Sequence, residues 1–134
     1  MESYKDILPE TKGQGCLVKM IKVDASLIDG IKKSFSGIPD DYILFLEEIG
    51  SGEIGNNNYM LYNGLLLPDE IYDADTADDL QGILIFGDDM QGNCYGFKPS
   101  NEWSIVEIDS SDMNLHKVSN CFSEFIRGKV KDLQ

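Results

Sequence analysis

The amino-acid sequence predicts an α+β fold: a single domain with a central, mostly antiparallel sheet, two helices before it and one after. Three observations carry this expectation. Apolar residues recur at helical spacing in the first fifty residues and again after residue 118. Between them lie several short apolar and aromatic runs, punctuated by glycine, asparagine and proline. The links between those runs are too short for crossover helices, so neighbouring strands should run antiparallel. The 134 residues fit one domain, 1–134. At 42 % hydrophobic residues, the chain can build a core without disulfide or metal staples.

In chain order, residues 1–16 read as an irregular entry with Gly13 and Gly15, and residues 16–23 as a short strand. Asp24 is placed to N-cap a helix over 25–35, whose apolar face is Leu27, Ile28, Ile31 and Phe35. In the second helix, Pro39 suits the first helical position, and Asp40 and Asp41 favour the macrodipole in the first turn. Tyr42, Phe45, Leu46 and Ile49 form its apolar face, and Gly50 can take the left-handed position that ends it. Glu47 and Glu48 oppose the dipole at its C-terminus.

Residues 59–62 and 65–67 flank Asn63-Gly64, a pair suited to a type I′ turn, and so predict a β-hairpin closed by Pro68. Residues 69–80 form an acidic connector with room for a short helical turn. The unbroken apolar run 83–86 predicts a strand buried on both faces. A loop at 87–92 leads to strands at 93–97 and 103–108, the latter with Trp103, Ile105 and Glu107 on one face. A final helix over 119–130 should be capped by Ser119 or Asn120 and bury Phe122, Phe125 and Ile126.

Charge is distributed unevenly along this frame. The net charge is -13, yet the two flanks, 1–33 and 98–134, sum to zero. Residues 34–97 contain no lysine or arginine and hold thirteen carboxylates. Such a surface repels nucleic acid and anionic membranes and favours a cationic partner. Helix-end chemistry and a turn explain Asp40, Asp41, Glu47, Glu48 and Glu53. Asp69, Glu70, Asp73, Asp75, Asp78, Asp79, Asp88 and Asp89 have no such local reason.

The residue patterns argue against an enzyme. The only histidine is His116, and nothing in the spacing pairs it with Cys94 or Cys121. No nucleophile elbow, P-loop or dinucleotide fingerprint occurs. Asp73-Ala-Asp75-Thr-Ala-Asp78-Asp79 begins like a calcium loop but lacks the glycine and closing glutamate. No catalytic, metal or cofactor residues are therefore expected. Cys16, Cys94 and Cys121 are odd in number and widely spaced, which fits a reducing cytoplasm. The acidic start lacks a signal-peptide core, and no apolar run approaches the roughly 20 residues of a membrane span.

Three segments in order carry a family resemblance. Ile38-Pro-Asp-Asp-Tyr-Ile-Leu-Phe-Leu-Glu-Glu-Ile-Gly50 runs into Ser51-Gly52. Ile83-Leu-Ile-Phe-Gly-Asp-Asp-Met-Gln-Gly-Asn-Cys-Tyr-Gly-Phe97 follows, then Phe122-Ser-Glu-Phe-Ile-Arg-Gly128. Together they resemble the SUKH superfamily of Smi/Knr-like cell-wall regulators and bacterial immunity proteins. Ile38, Pro39, Asp41, Tyr42, Phe45 and Leu46 match its helix motif. Phe86, Gly87, Asp88, Gly92, Tyr95 and Phe97 match its strand–turn–strand motif. Ile49-Gly50-Ser51-Gly52 replaces the more usual Asn-Gly-Gly turn. The resemblance covers a core of about 24–128. It implies a non-enzymatic immunity protein that neutralises a cognate toxin, often a nuclease; the alternative is a regulatory scaffold that binds host proteins. Joined to the charge pattern, it points to a basic toxin domain as partner, met by Asp73, Asp75, Asp78 and Asp79 and then by Asp88 and Asp89.

Overall fold

The computed structural model describes Tyr4, Ile7 and residues 15–133, so the expected irregular entry lies almost wholly outside it. Asp24 sits in extended backbone, and its carboxylate accepts the Ser26 N–H at 3.2 Å, the N-cap its chemistry favours. Helix α1 (Ala25–Ser34) buries Ile28 and Ile31 but leaves Leu27 exposed. Helix α2 (Asp40–Glu48) starts one residue later than expected. Pro39 takes the N-cap position, because its ψ of 137° lies outside the helix although its φ of -62° suits either position. Tyr42, Phe45, Leu46 and Ile49 are all buried.

Gly50 ends α2 with φ 110°, its N–H donating to the Phe45 carbonyl at 3.0 Å. A Cβ there would collide with the Ile21 carbonyl oxygen. This close approach lets Ile21 and Ser51 exchange two backbone hydrogen bonds, at 2.7 and 2.8 Å. That bridge is all that forms of the strand expected over residues 16–23. Turn bonds from Val18 N–H to Gly15 and from Met20 N–H to Leu17 consume groups that a ladder would need.

Among the described residues, six strands pair in chain order as an antiparallel meander. They are β1 (Gly52–Ile54), β2 (Tyr59–Leu66), β3 (Leu84–Asp88), β4 (Cys94–Lys98), β5 (Ser104–Ile108) and β6 (Leu115–Ser119). The hairpin predicted at Asn63-Gly64 does not form. Both residues lie inside β2, and neither has positive φ. The turn falls instead at residues 55–58, where Gly55 (φ 75°) and Asn57 (φ 63°) supply the left-handed conformations. Asn63 and Gly64 sit in an irregularity: Leu61 pairs with Gly87 but Leu66 with Ile85, so β2 carries extra residues. Gly64 also lies under α1, where a Cβ would stand 3.4 Å from Ile31 Cδ1. Tertiary packing here overrides the turn preference of Asn-Gly.

The apolar run at 83–86 is buried on both sides, as expected. Leu84 and Phe86 join the core under the helices, while Ile83 and Ile85 join a second cluster with Leu80, Val106 and Ile108. Strand β5 starts one residue later than expected, because Trp103 is left-handed (φ 57°), yet Trp103 and Ile105 both pack on the helical side. Helix α4 (Phe122–Asp132) closes the core. The rings of Tyr42 and Phe122 lie 5.1 Å apart, and those of Phe86 and Phe97 5.0 Å apart. Neither Ser119 nor Asn120 caps this helix. Cys121 occupies the N-cap without a side-chain bond, and the Ser119 hydroxyl donates instead to the Cys121 carbonyl. The Ser123 N–H is satisfied from another element: it donates to Asp41 Oδ2 at 2.9 Å. The chain is thus an α+β domain with α1, α2 and α4 on one sheet face and the acidic connector on the other.

Candidate functional site

The acidic connector folds as two short turns. Pro68–Glu70 forms a 3₁₀ turn, with the Leu67 N–H donating to Glu70 Oε2 at 2.6 Å. Helix α3 (Ala74–Asp79) follows, N-capped by Asp73, which accepts the Thr76 N–H at 2.9 Å. That bond holds the Asp73 carboxyl below the usual carboxylate range. The inner side of the connector carries Ala77, Leu80 and Tyr72 toward the sheet. Its outer side therefore carries the charge. Asp69, Asp75 and Asp79 are exposed and have no polar partner among the described residues; Asp78 accepts only Gln81 Nε2, at 2.9 Å. Beside them Leu67 is 47 % exposed and Ile71 38 %. Apolar side chains among solvated carboxylates give this face both burial and charge to offer a partner.

Asp88 and Asp89 behave differently. Asp88 accepts the Tyr62 hydroxyl at 2.6 Å and the Met90 N–H at 2.8 Å. Asp89 accepts the Gln91 and Asn93 N–H groups at 2.9 and 3.1 Å and the Asn93 side chain at 2.8 Å. Both shape the β3–β4 loop, in which Met90 (φ 61°) and Gly92 (φ 102°) are left-handed. Burial, reinforced by the Asp88 bond, pushes the Tyr62 hydroxyl well above the usual tyrosine range. Burial likewise raises the Cys94 thiol, which disfavours the reactive thiolate.

The family model of SMI1/KNR4 (SUKH-1) matches residues 22–128. The chain belongs to the SMI1/KNR4 family (SUKH-1). No curated protein matches it. In this SUKH-1 domain the motif residues Tyr42, Phe45, Leu46, Phe86, Tyr95 and Phe97 are all buried, so they build the fold.

Sequence patterning missed two features of the SUKH-1 surface. Leu67 reads as the end of a strand and Ile71 as part of the acidic connector with no role assigned, and only the connector's path shows that both are exposed. Asp109 and Asp112 lie beyond Lys98, outside the basic-free stretch, yet the Ser110 N–H donates to Asn93 Oδ1 at 2.8 Å and so joins their turn to the Asp88–Asp89 loop. None of the connector's carboxylates belongs to a group of three potential metal donors among the described residues. Among those residues, too, no helix is long and apolar enough to cross a membrane.

Proposed function

We propose that this SUKH-1 protein is a non-enzymatic, cytoplasmic immunity protein that neutralises a cognate, nuclease-type toxin by binding its basic domain. The observation that carries the proposal is the outward set Asp69, Asp75, Asp78 and Asp79, flanked by exposed Leu67 and Ile71, in a stretch without lysine or arginine. A nuclease must hold a polyanion and so presents cations, which an anionic inhibitor can cover. Single-signed surfaces also steer encounter and raise association rates by orders of magnitude. Asp73, Asp88 and Asp89 belong to the same proposed surface. They add charge to its field while their oxygens hold α3 and the loop in shape. Leu67 and Ile71 supply the apolar contact that charge alone does not.

The test is co-expression with the product of the neighbouring gene. The expected result is a complex that survives purification and abolishes nuclease activity of that product. A complex with a protein lacking toxic activity would favour a regulatory scaffold instead, and a toxin whose activity is untouched would overturn the proposal.

A further inference from the structure

Three side chains at the β5–β6 turn converge without a part in the surface proposed above. Asp109 follows β5, Asp112 lies in the turn, and His116 stands in β6. One donor atom of each lies within 4.8 Å of the other two, and His116 Nε2 is 3.8 Å from Asp109 Oδ2. Two ligands held by one ion at about 2.1 Å each stand at most about 4.2 Å apart. Asp109 and His116 are therefore already at a ligating separation, and an Asp112 carboxylate oxygen lies within 4.8 Å of both.

The backbone sets this geometry. The β5–β6 register puts Glu107 opposite His116 and Ile108 opposite Leu115, and the Met113 N–H closes the turn onto the Asp109 carbonyl. Asp109 Oδ1 is held by the Ser111 N–H at 2.9 Å and its hydroxyl at 2.7 Å, and Asp112 Oδ1 by the Asn114 N–H at 2.9 Å. Each carboxylate is thus oriented through one oxygen and keeps the other to donate. Lys117 pairs with Val106, on the opposite sheet face, and does not fill the site with its own charge.

We propose that Asp109, Asp112 and His116 form a surface site for a divalent transition cation of the zinc class, with water completing its shell. One imidazole nitrogen with two carboxylate oxygens suits such ions, whereas calcium and magnesium favour oxygen ligands alone.

The chain has a single histidine, so its ring resonances in an NMR spectrum report this site alone. Titrating the full chain with zinc should shift those resonances with one-site saturation, while calcium leaves them in place. By calorimetry His116→Ala should lose this binding event, and Asp112→Asn should weaken it at least tenfold. The free thiols Cys16, Cys94 and Cys121 are present in every variant, so zinc held by them cancels in the comparison. Imidazole resonances that do not move at millimolar zinc, or equal zinc affinity in His116→Ala, would overturn the assignment. The wild-type NMR titration decides it even if a variant is destabilised.

Discussion

Replacing Asp41 by alanine should destabilise the fold by about 1.5 kcal/mol, whereas replacing its neighbour Asp40 should cost less than about 0.5 kcal/mol. Both carboxylates lie in the first turn of α2 and have the same macrodipole benefit there. They differ in what lies across the core. Asp41 Oδ2 accepts the Ser123 N–H at 2.9 Å and so caps α4, a helix that begins some eighty residues later and has no cap of its own. A helix cap is worth about 0.5–2 kcal/mol and a hydrogen bond to a charged group about 1.5–3 kcal/mol; these describe one interaction and do not add. Unfolding entropy near 2.1 cal/mol/K per residue gives about 0.28 kcal/mol/K for 134 residues. The Asp41→Ala variant should therefore melt about 5 °C lower by calorimetry, and Asp40→Ala within about 2 °C of wild type. Asp41→Asn keeps an acceptor and should lie between them. Equal losses at the two positions would refute the reasoning, since they would leave only the shared dipole effect.

Gly50→Ala should cost at least about 3 kcal/mol, measured by denaturant unfolding, because the residue has φ 110° and its Cβ would strike the Ile21 carbonyl. Tyr62→Phe should cost about 1 kcal/mol, since it deletes the 2.6 Å bond to Asp88, and hydrogen exchange should quicken in the 88–93 loop. Alkaline pH should unfold the protein. Burial raises the hydroxyls of Tyr4, Tyr42, Tyr62, Tyr72 and Tyr95, and a raised folded value means the native state holds protons that the unfolded chain releases. Their stabilisation is complete below about pH 10 and declines as pH rises beyond it. Tyrosinate absorbance should then appear together with loss of near-ultraviolet circular dichroism; tyrosinate forming in a still-folded protein would contradict the burial account.

Where one local signal and burial agreed, the sequence was a sound guide. The faces of α2 and of the 83–86 strand follow from residue periodicity because each packs as its pattern demands. Non-local effects were beyond it. Asn63-Gly64 has the chemistry of a turn, but α1 packs onto Gly64 and strand β2 continues past it through an irregularity. Strand β6, with His116, Lys117 and Val118 exposed, carries no alternating apolar pattern and exists through its ladder to β5. The cap of α4 arrives from α2, so neither Ser119 nor Asn120 revealed it. The acidic surface was legible as charge, but its internal division was not. Backbone geometry decides that Asp88 and Asp89 are bound inward while Asp75 and Asp79 face solvent. Asp109 and Asp112 were invisible to a search for missing lysine because they lie past Lys98.

The most direct test of the acidic-surface account is stopped-flow association of this protein with the neighbouring gene's product across ionic strengths, using wild type and an Asp75→Lys, Asp78→Lys, Asp79→Lys variant. These three residues are exposed, and Asp75 and Asp79 have no polar partner among the described residues, so the variant should fold normally. The account predicts that wild-type association slows steeply with added salt, as screening shortens to about 8 Å at 0.15 M. It predicts association by the variant at least tenfold slower at low salt, with the salt dependence much reduced. An association rate and salt slope unchanged by the triple reversal would contradict it.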